Sequence, residues 1–309
     1  MDYSLYHLNF RHLVLAMSIM SITSCVHLSH VHTFATSVTQ TISAFDSTGY
    51  GFIYSYQHYS SSPNLYNFTE ADLKDNKLPL PILYPPADTS KTGDYTLAIK
   101  ADAAITTLFN CAGSYFKGLA KLSDPDLANI KFDSLLTGLK NDSVTLAKLS
   151  LTDTATLNTF STIGAAVTNL LVGRYQQKKL RAIIIRYDSS VQIVLGAFSR
   201  IIDGPLLNTL VSDEGLIRDQ YTLLLANPYL SRDLKITMID RYKSSFTTLE
   251  SKRLKLTKIS AALKKISADH HAIAGEAQSN SLSSAKMKAL FSSFSADLQT
   301  RLQQLSVSW

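Results

Sequence analysis

Residues 239–273, "IDRYKSSFTTLESKRLKLTKISAALKKISADHHAI", decide the fold class. Ile239, Tyr242, Phe246, Leu249, Arg253, Leu256, Ile259, Leu263, Ile266, His270 and Ile273 recur every three or four residues. That spacing places them on one stripe of a helix sustained over about ten turns, with a single 3-3 step at Leu256–Ile259. A stripe this long must be buried against other helices, and no alternation of strands with helices occurs elsewhere in the chain. The expectation is an all-α fold: an elongated bundle of about five to seven helices, with long antiparallel members.

Working outward, Ser231 is a plausible N-cap for this segment. On its far side Gly275 and "AQSNSLSS" precede a second stripe of Met287, Leu290, Phe294, Leu298, Leu302 and Leu305. A hairpin between the two is favoured over one uninterrupted helix. Upstream, Asp153–Ile202 contains no proline and keeps helical spacing, as at Val191, Val194, Phe198 and Ile201, and "DGP" at 203–205 is expected to stop it. Another runs to about Ala226, where "NP" breaks it. Ala104, Leu108, Cys111, Tyr115 and Leu119 mark a helix over about Tyr95–Leu122. After it, "SDPD" offers an N-cap, and residues to Ser150 read as short helices. Val31, Phe34, Val38, Ile42 and Phe45 define the first helix, with Gly49 suited to a left-handed cap.

Between these lies an irregular Tyr- and Pro-rich stretch, residues 50–93. Tyr50, Phe52, Tyr54 and Tyr56 share one parity, so an extended backbone would line their rings on one side. Such a row could contact a glycan or a partner; half-buried packing against helices is the competing account.

The first 25 residues form a separate unit. The apolar run Leu13–Ile22 is shorter than the roughly 20 residues needed to span a bilayer. It follows Arg11 and His12 and ends in small residues, the layout of a secretory signal. The closing residues Ile22-Thr23-Ser24-Cys25 resemble the lipobox of bacterial lipoproteins. Asp2 departs from the usual basic flank. The resemblance implies acylation of the Cys25 thiol by a diacylglyceryl group and cleavage by signal peptidase II before it. Residues 1–24 would then be the signal peptide, 25–30 a lipidated tether and 31–309 a single helical domain. Val26, in place of aspartate, leans by the same resemblance to outer-membrane sorting. The other readings are a signal cleaved near Ser24 without lipid, and an uncleaved cytosolic N-terminus.

Charge is unevenly distributed. Residues 1–172 carry 10 Lys and Arg against 13 Asp and Glu, whereas residues 173–309 carry 20 against 11. Basic excess of that kind suits anionic lipid headgroups or envelope polymers, or a solvated helix face. Nucleic acid is disfavoured by the export signal.

Catalytic signatures are missing from the sequence: it has no Gly-x-Ser-x-Gly elbow, phosphate loop or dinucleotide fingerprint. His27, His30 and His32 lack a completing ligand set, so no metal or cofactor is expected. In "DHHAIAGE" the adjacent His270 and His271 do not have the spacing of a helical zinc protease. His270 continues the apolar stripe and is expected to be a satisfied interior histidine. Asp213-Glu214 read as surface carboxylates in a turn, and Cys111 as a buried apolar thiol. The resulting expectation is a non-enzymatic, periplasm-facing envelope lipoprotein, a scaffold or adaptor held by Cys25. A binding module for anionic or glycan polymers is the alternative, and an envelope hydrolase the third reading.

Overall fold

A computed structural model describes residues 28–57, 92–124, 176–228 and 230–306. Cys25, "SDPD" after Asp124 and the predicted helices up to Ser150 lie outside these. Among the described residues every extended element is helical and the architecture is an all-α bundle. We label the helices α1 (Ser29–Ser43), α2 (Phe52–Ser55), α3 (Thr92–Leu122), α4 (Gln176–Ile201), α5 (Leu207–Ala226), α6 (Arg232–Ser279) and α7 (Ala285–Ser306).

The 48-residue α6 is the spine of the molecule. At 1.5 Å per residue it is about 70 Å long. Ser231 caps it as the sequence suggests, its hydroxyl accepting from the Leu234 N–H at 3.3 Å. Leu249, Leu256, Ile259, Leu263, Ile266, His270 and Ile273 are all buried. The earlier part of the stripe is shallower: Ile239, Tyr242 and Phe246 are half-buried, as is Arg253. There the apolar partner is α5, whose Tyr221 ring stands 5.2 Å from Tyr242.

The "DGP" segment does not end its helix. Residues Ile202–Leu206 form a π-helical turn containing Pro205, and the chain continues directly into α5. Widening the hydrogen-bond spacing to i→i+5 accommodates a residue that has no N–H to offer. The α4–α5 rod therefore runs alongside α6 in antiparallel sense. Arg181 lies against Ala277, Asp188 against His270 and Glu214 against Arg253. Lys178–Asp219 within this rod contains a window long and apolar enough to cross a membrane, but half of that window is buried in the bundle. Those apolar side chains are the rod's contribution to the core.

At the other end of α6, Asn280 breaks the helix and α7 folds back, completing the favoured hairpin. Lys286 pairs with Glu276 at 2.7 Å and Lys258 donates to the Gln304 carbonyl at 2.9 Å. Gly275 does not interrupt α6.

The core forms where α1, α3, α4, α6 and α7 converge. Phe34 meets Phe116 and Phe291 edge-on at 6.2 and 5.6 Å, and Phe45 meets Phe198 at 5.3 Å. Such edge-to-face pairs add to the burial of large apolar rings. Gly49 does adopt the left-handed conformation (φ 54°), terminating the short 3-10 turn Asp46–Thr48 that follows α1.

Two expected boundaries move. Residues 28–30 belong to the fold, not to a tether: Leu28 is buried, and α1 starts at Ser29. The apolar face of α1 draws these residues in. Residues 50–57, expected in the irregular stretch, contain α2, and α3 begins at Thr92, inside that predicted stretch.

Candidate functional site

The tyrosine row is not extended. Gly51 is extended (φ −159°), and Phe52–Ser55 form one helical turn. This turn is capped from a distance: the Asp102 carboxylate on α3 accepts from the Phe52 and Ile53 N–H groups at 2.8 and 2.9 Å. The acceptor satisfies N–H groups that a helix start leaves unpaired. Burial pushes the Asp102 carboxyl up, while these two N–H groups pull it down, and the net shift is upward.

Side chains of the row turn inward. Tyr50 is buried, and its hydroxyl donates to Asp213 Oδ2 at 2.7 Å. Ser55 donates to the other oxygen of the same carboxylate at 2.9 Å. Tyr54 packs 5.6 Å from the Tyr50 ring and carries the Lys252 ammonium over its face at 4.5 Å. Lys252 also donates to the carbonyls of Thr48 and Gly49, tying this turn to α6. Tyr56 packs against Tyr95 at 5.2 Å, and Phe52 rests half-buried on the core. The four rings thus line several contacts, not one open face.

Asp213 and Glu214 also depart from expectation. They lie inside α5, Asp213 is buried, and Glu214 pairs with Arg253 at 3.0 Å. Their positions on the helix point one carboxylate at the tyrosine turn and the other at α6.

A second polar cluster crosses three helices. The Tyr115 hydroxyl on α3 stands 2.8 Å from His270 Nε2 on α6. His270 Nδ1 stands 2.9 Å from Asp188 Oδ1 on α4, and His271 Nδ1 stands 2.7 Å from Asp188 Oδ2. Gln192 donates to Asp188 and to the Ser267 carbonyl, and Ser267 donates back to Gln192. Burial raises the Asp188 carboxyl, but the hydrogen bonds from His270, His271 and Gln192 outweigh it and hold the group at about 2. An ionised Asp188 can only accept, so His270 donates to it from Nδ1, and its Nε2 faces the Tyr115 hydroxyl. Burial, reinforced by the Asp188 charge, keeps the Tyr115 hydroxyl well above its usual range and hence protonated. Every polar atom of the His270 ring is engaged.

His270 is therefore the satisfied interior histidine that its stripe position implies, at 1% exposure. Asp188 is the residue missed by sequence reading. It is separated from His270 by 82 positions and belongs to no recognisable motif. The carboxylates close in sequence serve other partners: Asp269 pairs with Lys265, and Glu276 with Lys286. His271 projects from the cluster with its side chain 73% exposed.

Chemically, the cluster is a hydrogen-bonded chain that fixes the register of three helices. Its acid–base pair, Tyr115 and His270, lies in the packed interior. Among the described residues no group of three His, Cys, Asp or Glu side chains gathers at metal-binding distance. His32 stands 2.9 Å from the Ala120 carbonyl and His30 3.4 Å from Ser292. Cys111 is fully buried, and that burial pushes its thiol up to about 12.

Fold and clusters together define a helical bundle with buried polar ties between its long helices. Comparison with protein-family models, curated proteins and solved structures finds no match to this chain.

Proposed function

We propose that this protein is a cell-envelope lipoprotein, a helical scaffold or adaptor held at a bacterial membrane by lipid on Cys25. The observation that carries the reading is Ile22-Thr23-Ser24-Cys25, which resembles a lipobox and stands three residues before Leu28, the first described core residue. Two or three acyl chains would hold the bundle firmly, since each buried methylene contributes about 0.8 kcal/mol. The proposed orientation is periplasm-facing, on the outer membrane by the residue after the cysteine.

A scaffold role without catalysis is supported by how the polar clusters are used. Asp213 accepts from Tyr50 and Ser55, and His270 stands between Tyr115 and Asp188. An adaptor also needs contact surface. Val211, Leu216, Ile236 and Leu254 on α5 and α6 are each more than 40% exposed.

The test is the intact mass of the native product together with membrane fractionation. A mature chain beginning at an acylated Cys25, recovered with the membranes and released by Cys25→Ser, supports the proposal. A product that retains Met1 and stays in the aqueous fraction overturns it.

The basic excess of residues 173–309 favours one alternative, a module that binds anionic or glycan envelope polymers. Binding to lipopolysaccharide or peptidoglycan that weakens steeply with salt would support it, because screening lengths shrink to about 3 Å at 1 M.

A further inference from the structure

The position of Leu28 in the bundle decides which end a lipid on Cys25 would bring to the membrane. The Tyr115–His270–Asp188 cluster sets a common level on three helices. Seven residues further along, α3 reaches Leu122 and α6 reaches Ala277, while seven residues back α4 reaches Arg181. All three positions are about 10 Å beyond the cluster. Two of them meet there: Arg181 donates to the Ala277 and Gln278 carbonyls, capping the end of α6. The start of α7 joins them through Lys286 and Glu276. The start of α1 is at this end too, for His32 contacts the Ala120 carbonyl and His30 contacts Ser292.

Leu28 is thus fastened to one tip of the rod, and Cys25 precedes it by three residues. Three residues reach at most about 10 Å. A lipid on Cys25 would bring this tip down to headgroup level. The opposite tip, with the turn at Asn227–Pro228, lies most of the length of α6 away.

The charge of this tip matches such a neighbour. Among the described residues, Lys121, Lys178, Lys179, Arg181, Lys286 and Lys288 belong to this end, with Asp124 and Glu276. Lys121, Lys178, Lys286 and Lys288 are exposed. We propose that this tip is a membrane-docking surface that seats on anionic phospholipid headgroups, standing the rod upright with the α5–α6 end projecting away. The proposal rests on lipid attachment at Cys25, and it adds the orientation and the lipid class.

The test separates the two claims. Intact mass reports acylation on its own. Orientation is read on the mature chain, residues 25–309, whose Cys25 is coupled to a maleimide phospholipid, the buried Cys111 being closed to the reagent. The coupled protein is bound to phosphatidylcholine vesicles with or without phosphatidylglycerol, and lysine acetylation is mapped by mass spectrometry. On anionic vesicles, Lys121, Lys178 and Lys288 should lose reactivity by about fivefold or more while Lys243 keeps it, and high salt should restore it. Equal labelling at both ends overturns the proposal. So does protection of Lys243 instead, or equal protection of the three lysines without vesicles, which would mean that the chain itself covers them.

Discussion

The Tyr115 hydroxyl lies 2.8 Å from His270 Nε2, joining α3 to α6 inside the core. Replacing Tyr115 with Phe keeps the ring but leaves the buried His270 Nε2 without its partner. Such orphaned groups cost about 1–3 kcal/mol. Urea unfolding should show that loss with an unchanged slope, and an unaltered midpoint would refute the role given to the bond.

Asp188 makes stability depend on acid. Its folded-state value of about 2 lies below the ordinary 3.8, so its stabilisation is present above about 4 and lost as pH falls through 2. A depression of that size corresponds to about 2 kcal/mol. Asp188→Asn should be less stable at pH 7 and should show a flatter decline between pH 4 and 2. Thermal melts across that range measure both.

Gly51 is required by contact and not by its φ. A Cβ there would stand 2.8 Å from both Asp102 carboxylate oxygens. Gly51→Ala should therefore cost about 1–3 kcal/mol by forcing the carboxylate off the Phe52 and Ile53 N–H groups. Asp102→Ala removes the same cap, so the double variant should be markedly less destabilised than the sum of the singles. Strict additivity in denaturation experiments would show that the two residues act separately.

Cys111 should resist thiol reagents in the native state. It is fully buried with its thiol pushed up to about 12, so almost no thiolate exists at pH 8. Labelling monitored by mass should proceed only as fast as the protein opens, and should become rapid in denaturant. Fast native-state labelling would contradict the packing of α3.

Much of the architecture was legible because helix burial leaves a local periodic trace. The α6 stripe, the Ser231 cap, the "NP" break and the apolar faces of α1 and α3 could each be read from a few turns of sequence. Gly49 was readable for a related reason, since the left-handed backbone costs glycine little. The π turn at Pro205 was not readable. A proline signals a lost N–H, but whether the helix ends or widens depends on what the continuing rod can bury against α6.

The polar sites divide along the same line. His270 revealed itself through its place in an apolar stripe. Its partners Tyr115 and Asp188 come from α3 and α4 and carry no shared spacing. Likewise, the shared parity of Tyr50, Phe52, Tyr54 and Tyr56 would align their rings only on an extended backbone, yet Asp102, about 50 residues away, caps the N–H groups of a helical turn there. Sequence alone determined the helical class, the faces to be buried and the lipobox resemblance. Tertiary structure decided which buried polar groups pair, where helices continue, and which tip holds Leu28. Periodicity is a local property of the chain, whereas the satisfaction of a buried charge is settled only by whatever the fold brings beside it.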